Sequence, residues 1–125
     1  MANFNQVILM GYLTRDPALT YLPNQTAVAE FGLAVNRTWT KADGSKATEA
    51  CFVDCQIFAK RAEALAKYFH KGDPIFVLGH LKFEQWKGKT DHKSHSRLRV
   101  LVESFEFVAK SSNNSGNNRS GEQDL

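Results

Sequence analysis

A chain of 125 residues with 42% apolar side chains has room for one domain with a real core and a short appendage at most. Its formal net charge of +3 and sequence pI near 9.0 exclude an acidic protein and admit a polyanionic partner without naming one. No apolar run approaches the length of a membrane span, and the opening Met-Ala-Asn-Phe-Asn-Gln has no basic segment leading into an apolar one. A soluble, cytoplasmic protein without a signal peptide is therefore expected.

In chain order the pattern is mostly short strands. Gln6 to Thr14 predicts a first strand, interrupted by Arg15-Asp16-Pro17 and resumed briefly over Ala18 to Leu22, before a Pro23-Asn24 turn. Ala27 to Thr40 predicts a long second strand with Phe31, Leu33 and Val35 alternating, and Lys41 to Lys46 carries the Asp-Gly chemistry of a hairpin loop. Cys51 to Phe58 predicts a third strand. Ala62, Leu65, Ala66 and Phe69 fall at helical spacing, so Ala59 to Tyr68 predicts a helix, stopped by His70-Lys71-Gly72-Asp73-Pro74. Ile75 to Trp86 is a fourth strand, Lys87 to His95 a second hairpin loop, and Arg97 to Phe107 a fifth strand.

An all-β domain over residues 1–109, with five strands and one helix between the third and fourth, has the element order of an OB-fold, a closed Greek-key barrel. Residues 110–125 include SSNNSGNNRSG, which has no apolar side chain to offset ordering entropy and is expected to be a disordered tail.

Alternation sorts the strands into faces. On the third strand Val53, Cys55 and Ile57 belong to the core, while Phe52, Asp54, Gln56 and Phe58 make a mixed face that reads as solvent-facing, with Phe52 and Phe58 exposed on it. On the fourth, His80, Lys82, Glu84 and Trp86 share the polar side. On the fifth, Leu98, Val100 and Val102 point inward, while Arg97 and Arg99 point outward. The stretch from Lys82 to Arg99 holds six basic residues (Lys82, Lys87, Lys89, Lys93, Arg97 and Arg99) against two acidic ones, Glu84 and Asp91, a local net of +4. Exposed aromatics among cations suit single-stranded nucleic acid: unpaired bases stack on rings at about 1–3 kcal/mol each, and Lys and Arg neutralise phosphates. Trp39 shares parity with Phe31, Leu33 and Val35, so alternation turns it inward, whereas a bulge or curl near the loop turns it outward; periodicity leaves both open.

Cys51 and Cys55 lie about 13 Å apart along a strand, too far for a disulfide, and read as buried reduced thiols. With His92 and His95 they could be assembled into a four-ligand set, but the cysteines share parity with the core and the histidines sit in a loop, so no metal site is expected. No nucleophile–base pair, paired carboxylates or glycine-rich phosphate loop appears, so neither catalysis nor a cofactor is expected. Phe76 and Leu78 are apolar on the outward side of the fourth strand, which suggests a subunit interface.

Asn5-Gln6-Val7-Ile8-Leu9-Met10-Gly11-Tyr12-Leu13-Thr14-Arg15-Asp16-Pro17 closely resembles the first strand of the bacterial single-stranded-DNA-binding protein family. Val35 to Trp39, Phe52 to Lys60, Tyr68 to Asp73 and Gly79 to Trp86 continue the resemblance, which spans about residues 3–107. It implies a tetramer, or less often a dimer, of OB-folds that wraps single-stranded DNA in replication, recombination and repair. It also implies stacking aromatics at Trp39, Phe52, Phe58 and Trp86. Members commonly end in an acidic tip with a final Pro-Phe that recruits partner enzymes. This chain ends Gly121-Glu122-Gln123-Asp124-Leu125, a departure that lowers the expectation of replication and repair partners by that route. The alternative is a barrel of the replication-restart type, used mainly for protein contacts with weak DNA binding.

Overall fold

The computed structural model describes residues 2–109. The expected tail and the C-terminal departure both lie outside that range. The described elements are β1 (Val7–Leu13), β2 (Ala18–Tyr21), β3 (Ala27–Thr40), β4 (Lys46–Phe58), α1 (Lys60–Tyr68), β5 (Pro74–Lys87) and β6 (Ser94–Phe107). Hydrogen-bonded order across the sheet is β1-β5-β6-β4-β3-β2, and β1 also pairs with β3, so five strands close into a barrel. The expected fold class holds, with Ala18–Tyr21 as a separate sixth strand laid along the start of β3.

The closure has local causes. β1 is short and apolar and pairs antiparallel with β5 on one side, from Val7↔Gly79 to Tyr12↔Pro74, and with β3 at Tyr12↔Ala34 and Leu13↔Leu33 on the other. The β5–β6 ladder slips register between Leu78 and Gly79, and there a Cβ on residue 79 would collide with the Leu101 carbonyl oxygen. Glycine lets the two backbones approach, and the bulge bends the ladder into the barrel wall.

The core is what the inward parity of the strands supplies: Leu13, Phe31, Leu33, Cys55, Ile57, Ile75, Val77, Val100 and Val102, joined by Ala62, Leu65 and Phe69 from and after the helix. Each large apolar side chain buried there contributes about 1.5–3 kcal/mol. Phe69 stacks on Phe107 at 4.9 Å between centroids and meets Phe105 edge-on at 5.4 Å, so the helix end is packed against the last strand. The helix stops where expected. Phe69 is extended, Gly72 takes φ +90, and the Gly72 N–H donates to the Leu13 carbonyl at 2.8 Å, tying the turn to β1.

The strands run on past the barrel as two arms. β4 begins at Lys46, five residues before the expected start at Cys51, because every residue from Lys46 to Ala50 pairs with β3. β5 and β6 likewise extend to Lys87↔Ser94. Alternation continues along the arms, but none of the described residues covers their inward side. Leu98, expected inside, is therefore 59% exposed, and Cys51, expected to be buried, is exposed. Val100, Val102, Ile57 and Cys55 are buried as expected, while Val53 is partly buried against the core. Among the described residues no helix is long and apolar enough to cross a membrane.

Candidate nucleic-acid interface

The outward sides of β3, β4, β6 and β5 form one continuous surface. Even-numbered residues of β3 and β4 point to it, so Ala34↔Phe52, Gly32↔Asp54, Glu30↔Gln56 and Val28↔Phe58 lie across from one another. The parallel pairing Gln56↔Leu101 carries the surface onto β6, and Lys82↔Arg99, Glu84↔Arg97 and Trp86↔His95 carry it onto β5.

Phe52, Phe58 and Trp86 lie on this surface with Lys82, Lys87, Lys89 and Arg97. Phe52 stands 72% exposed at the foot of the β3–β4 arm, because its cross-strand neighbour is only Ala34. Trp86 is exposed near the tip of the other arm, with the His95 ring stacked on it at 5.6 Å and the Arg97 guanidinium 5.6 Å from its centroid. Phe58, expected to be exposed, is half-buried, with the Lys82 ammonium 5.9 Å from its ring. Lys87 precedes the Gly88–Lys93 turn and Lys89 lies within it; both are exposed, and neither has an ion pair among the described residues.

Two further residues of this surface depart from expectation. Arg99, expected to point into solvent, is buried, as is Gln56. Arg99 donates from Nη1 to Glu30 Oε2 at 3.1 Å and from Nη2 to Glu84 Oε2 at 2.9 Å. Burial works against its charge, but the two carboxylates outweigh that and hold it more firmly protonated than an ordinary arginine. Glu84 also accepts from Arg97 Nε at 2.9 Å and lies 3.7 Å from Lys82 Nζ. Its hydrogen bond from Arg97, aided by Arg99 and resisted by burial, keeps its carboxyl below the usual carboxylate range. Gln56 donates to the same Glu30 oxygen at 3.3 Å, while its Oε1 and the Arg99 Nε are buried without partners. Further along, Arg15 reaches over Gly32 to within 3.8 Å of Asp54.

Trp39 is not brought to this surface. It keeps the inward parity of β3, opposite Ala47, and is 38% exposed because the arm leaves that side uncovered. Arg37 lies 5.0 Å over its indole and 3.8 Å from Glu49. Both alternatives left open by periodicity thus meet in one position: parity is unbroken, and the side chain is still solvent-accessible. Phe76 and Leu78 are half-buried on the outer side of the opposite end of β5, paired with exposed Met10 and Ile8 of β1.

Sequence reasoning did not single out Glu30, Arg15 or the stacking of His95 on Trp86. Glu30 was detectable in principle, since it alternates with Ala29 and Phe31 and so faces outward. What it meets there depends on the β4–β6 pairing, which leaves no local trace.

Residues 4–108 match the model of the single-strand binding protein family. The chain is 40% identical over 111 residues to a single-stranded DNA-binding protein of Helicobacter pylori, covering 89% of this chain and 62% of that protein. It is 44% identical over 104 residues to the protein of that name from Bacillus cereus, covering 83% of this chain and 59% of that one. The chain thus spans about three-fifths of the length of these curated relatives. Among solved structures it is similar to a deletion mutant of the single-stranded DNA binding protein from Thermus aquaticus, with TM-score 0.75, 28% identity, and coverage of 85% of this chain and 51% of that one. It also shares its fold with the Plasmodium falciparum SSB in complex with ssDNA, with TM-score 0.76 at 18% identity, over 87% of this chain and 98% of that one.

Proposed function

The chain belongs to the single-strand binding protein family, and from that premise we propose that it binds single-stranded DNA without reading its sequence, by stacking bases and neutralising phosphates. One observation carries this reading: Phe52, Phe58 and Trp86 stand along one solvent face, with Lys82 and Arg97 between the rings and Lys87 and Lys89 at its rim. A strand laid over the rings gains about 1–3 kcal/mol per stacked base, and each rim cation meets a phosphate. Trp39 takes a base on the reverse side of the β3–β4 arm, so the strand passes around the arm's edge. Arg99 positions its neighbours and contacts no phosphate. Duplex DNA hides its base faces and is a poor ligand for this surface.

Phe76 and Leu78, with Ile8 and Met10 beside them, form the face through which copies of the chain associate, as a tetramer or a dimer. The protein works in the cytoplasm, in replication, recombination and repair, and it acts by holding DNA without catalysing a reaction. A barrel used mainly for protein contacts is the less favoured reading, because the relatives above are named for single-stranded DNA binding.

Titration of the intrinsic Trp fluorescence with oligo-dT, and with duplex of equal length, tests the proposal. Quenching by oligo-dT alone, weakening with salt, is expected. No response to either, with binding also absent by gel shift, would refute it. Sedimentation at micromolar concentration tests the association: a monomer there rules it out.

A further inference from the structure

The charge arrangement on the stacking face bears on which polyanions the protein accepts. Across that face four cations (Arg15, Lys82, Arg97 and Arg99) meet three carboxylates (Glu30, Asp54 and Glu84). The sequence suggested a strongly basic strip, but its centre is almost neutral. Glu84 is the hub, since it binds Arg97 and Arg99 at 2.9 Å each and lies 3.7 Å from Lys82. Glu30 holds Arg99 from the other strand and also binds Gln56. The rings at Phe52, Phe58 and Trp86 surround this neutral centre, and Lys87 and Lys89, which have no ion pair among the described residues, sit outside it at the turn.

We propose that Glu84, backed by Glu30, is a specificity determinant: by neutralising the arginines between the rings, it makes the face select polyanions for their bases and reject those that offer charge alone. This rests on the single-stranded-DNA reading above and names what enforces it. A phosphate approaching the centre finds Arg97 engaged by Glu84 and Arg99 buried between two carboxylates, so it is directed to the rim. A base needs only the rings, and the neutral surface costs it nothing. Base-free chains such as polyphosphate therefore gain only the rim contacts.

The test compares the full chain with its Glu84→Gln variant, a substitution of nearly the same shape. Binding of oligo-dT, of an abasic oligonucleotide of equal length and of polyphosphate is measured over a range of salt concentrations. In the unaltered protein oligo-dT is expected to bind about a hundredfold more tightly than the abasic chain, the equivalent of about one to three stacked bases. In the variant the freed Arg97 and Lys82 accept one or two phosphates. The slope of log K against log salt then steepens by about 0.7 to 1.4, and the abasic chain and polyphosphate gain about tenfold. A merely structural role for Glu84 would lower binding of all three ligands together and would not steepen the slope. If Glu84→Gln loses its cooperative melt, Glu30→Gln, which releases one side of Arg99, gives the same comparison. An unchanged slope and unchanged abasic binding, with oligo-dT still bound, overturns this proposal and leaves single-stranded DNA binding standing. Failure of the unaltered protein to bind oligo-dT overturns both.

Discussion

Phe31 on β3 and Phe52 on β4 are the same residue type on neighbouring strands, yet one is fully buried and the other 72% exposed. Phe31 lies where the strands form barrel wall, on the side that meets the helix and the opposite strands. Phe52 lies on the outer side, at the point where β3 and β4 leave the barrel and continue as an arm. The same contrast holds for Cys55 and Cys51, four residues apart on one strand with one parity, the first buried and the second exposed. Alternation decides which side of a ribbon a residue occupies. Whether that side is covered depends on where the barrel ends.

Four measurements test whether wall and arm differ in this way. The largest contrast is expected in thiol reactivity. Burial, with a smaller contribution from the Asp54 charge and against the pull of Arg15, pushes the Cys55 thiol up from 9.0 to about 12, so its reactive thiolate fraction falls about a thousandfold. A disulfide exchange reagent should therefore titrate one thiol in the native protein and both in denaturant; two fast native thiols would show that β4 is open along its whole length. Next, Phe31→Ala should cost about 3–5 kcal/mol in urea unfolding. Phe52→Ala should leave the unfolding midpoint within about 0.5 kcal/mol and instead weaken oligo-dT binding by about 1–3 kcal/mol. Equal destabilisation by the two substitutions would mean that the arm is packed as tightly as the wall.

The smallest effect is on pH dependence. Because Glu84 is held below the ordinary carboxylate range, its contribution to stability is full above about pH 4.3 and is lost as pH falls through its lower folded value. Urea midpoints taken from pH 6 to pH 3 should fall more for the unaltered protein than for Glu84→Gln. Identical profiles would mean that the ion-pair cluster adds nothing to the fold.

Much of the barrel was legible in the residues. The apolar alternation of Phe31, Leu33 and Ile57 marked the wall, and Gly72 before Pro74 marked the end of the helix, because those signals act within a few positions of one another. The start of β4 was not legible. Lys46 to Ala50 is poor in residues that favour strands, and only pairing with β3 holds it extended. Leu98 was misplaced for the converse reason: its residue type suits a core that ends before reaching it. Arg99 and Gln56 were read as solvent-facing because parity put them on the outer side. They are buried there by Glu30 and Glu84, which come from strands 69 and 15 positions away from Arg99. No local window reports such a meeting. Trp39 shows how far a family likeness can help, since it indicated an accessible ring where periodicity left two options, although the ring emerges on the opposite side from the other three.

The barrel closes along two short seams, Tyr12–Leu13 against Leu33–Ala34 and Cys55–Gln56 against Val100–Leu101, each only two residue pairs long. The ladders between them are far longer, so the wall amounts to two curved slabs, β3 with β4 and β1 with β5 and β6, joined edge to edge. A seam of two residue pairs gains little for the loop it closes, and the second joins segments 45 positions apart, so these seams form late in folding. They are also where the finished barrel parts first, with the slabs still intact, and their amide protons should exchange ahead of those in the long ladders. The ion pair from Glu30 to Arg99 crosses the second of these seams, so the salt bridge that quiets the surface charge is also a stitch across the line where the barrel opens.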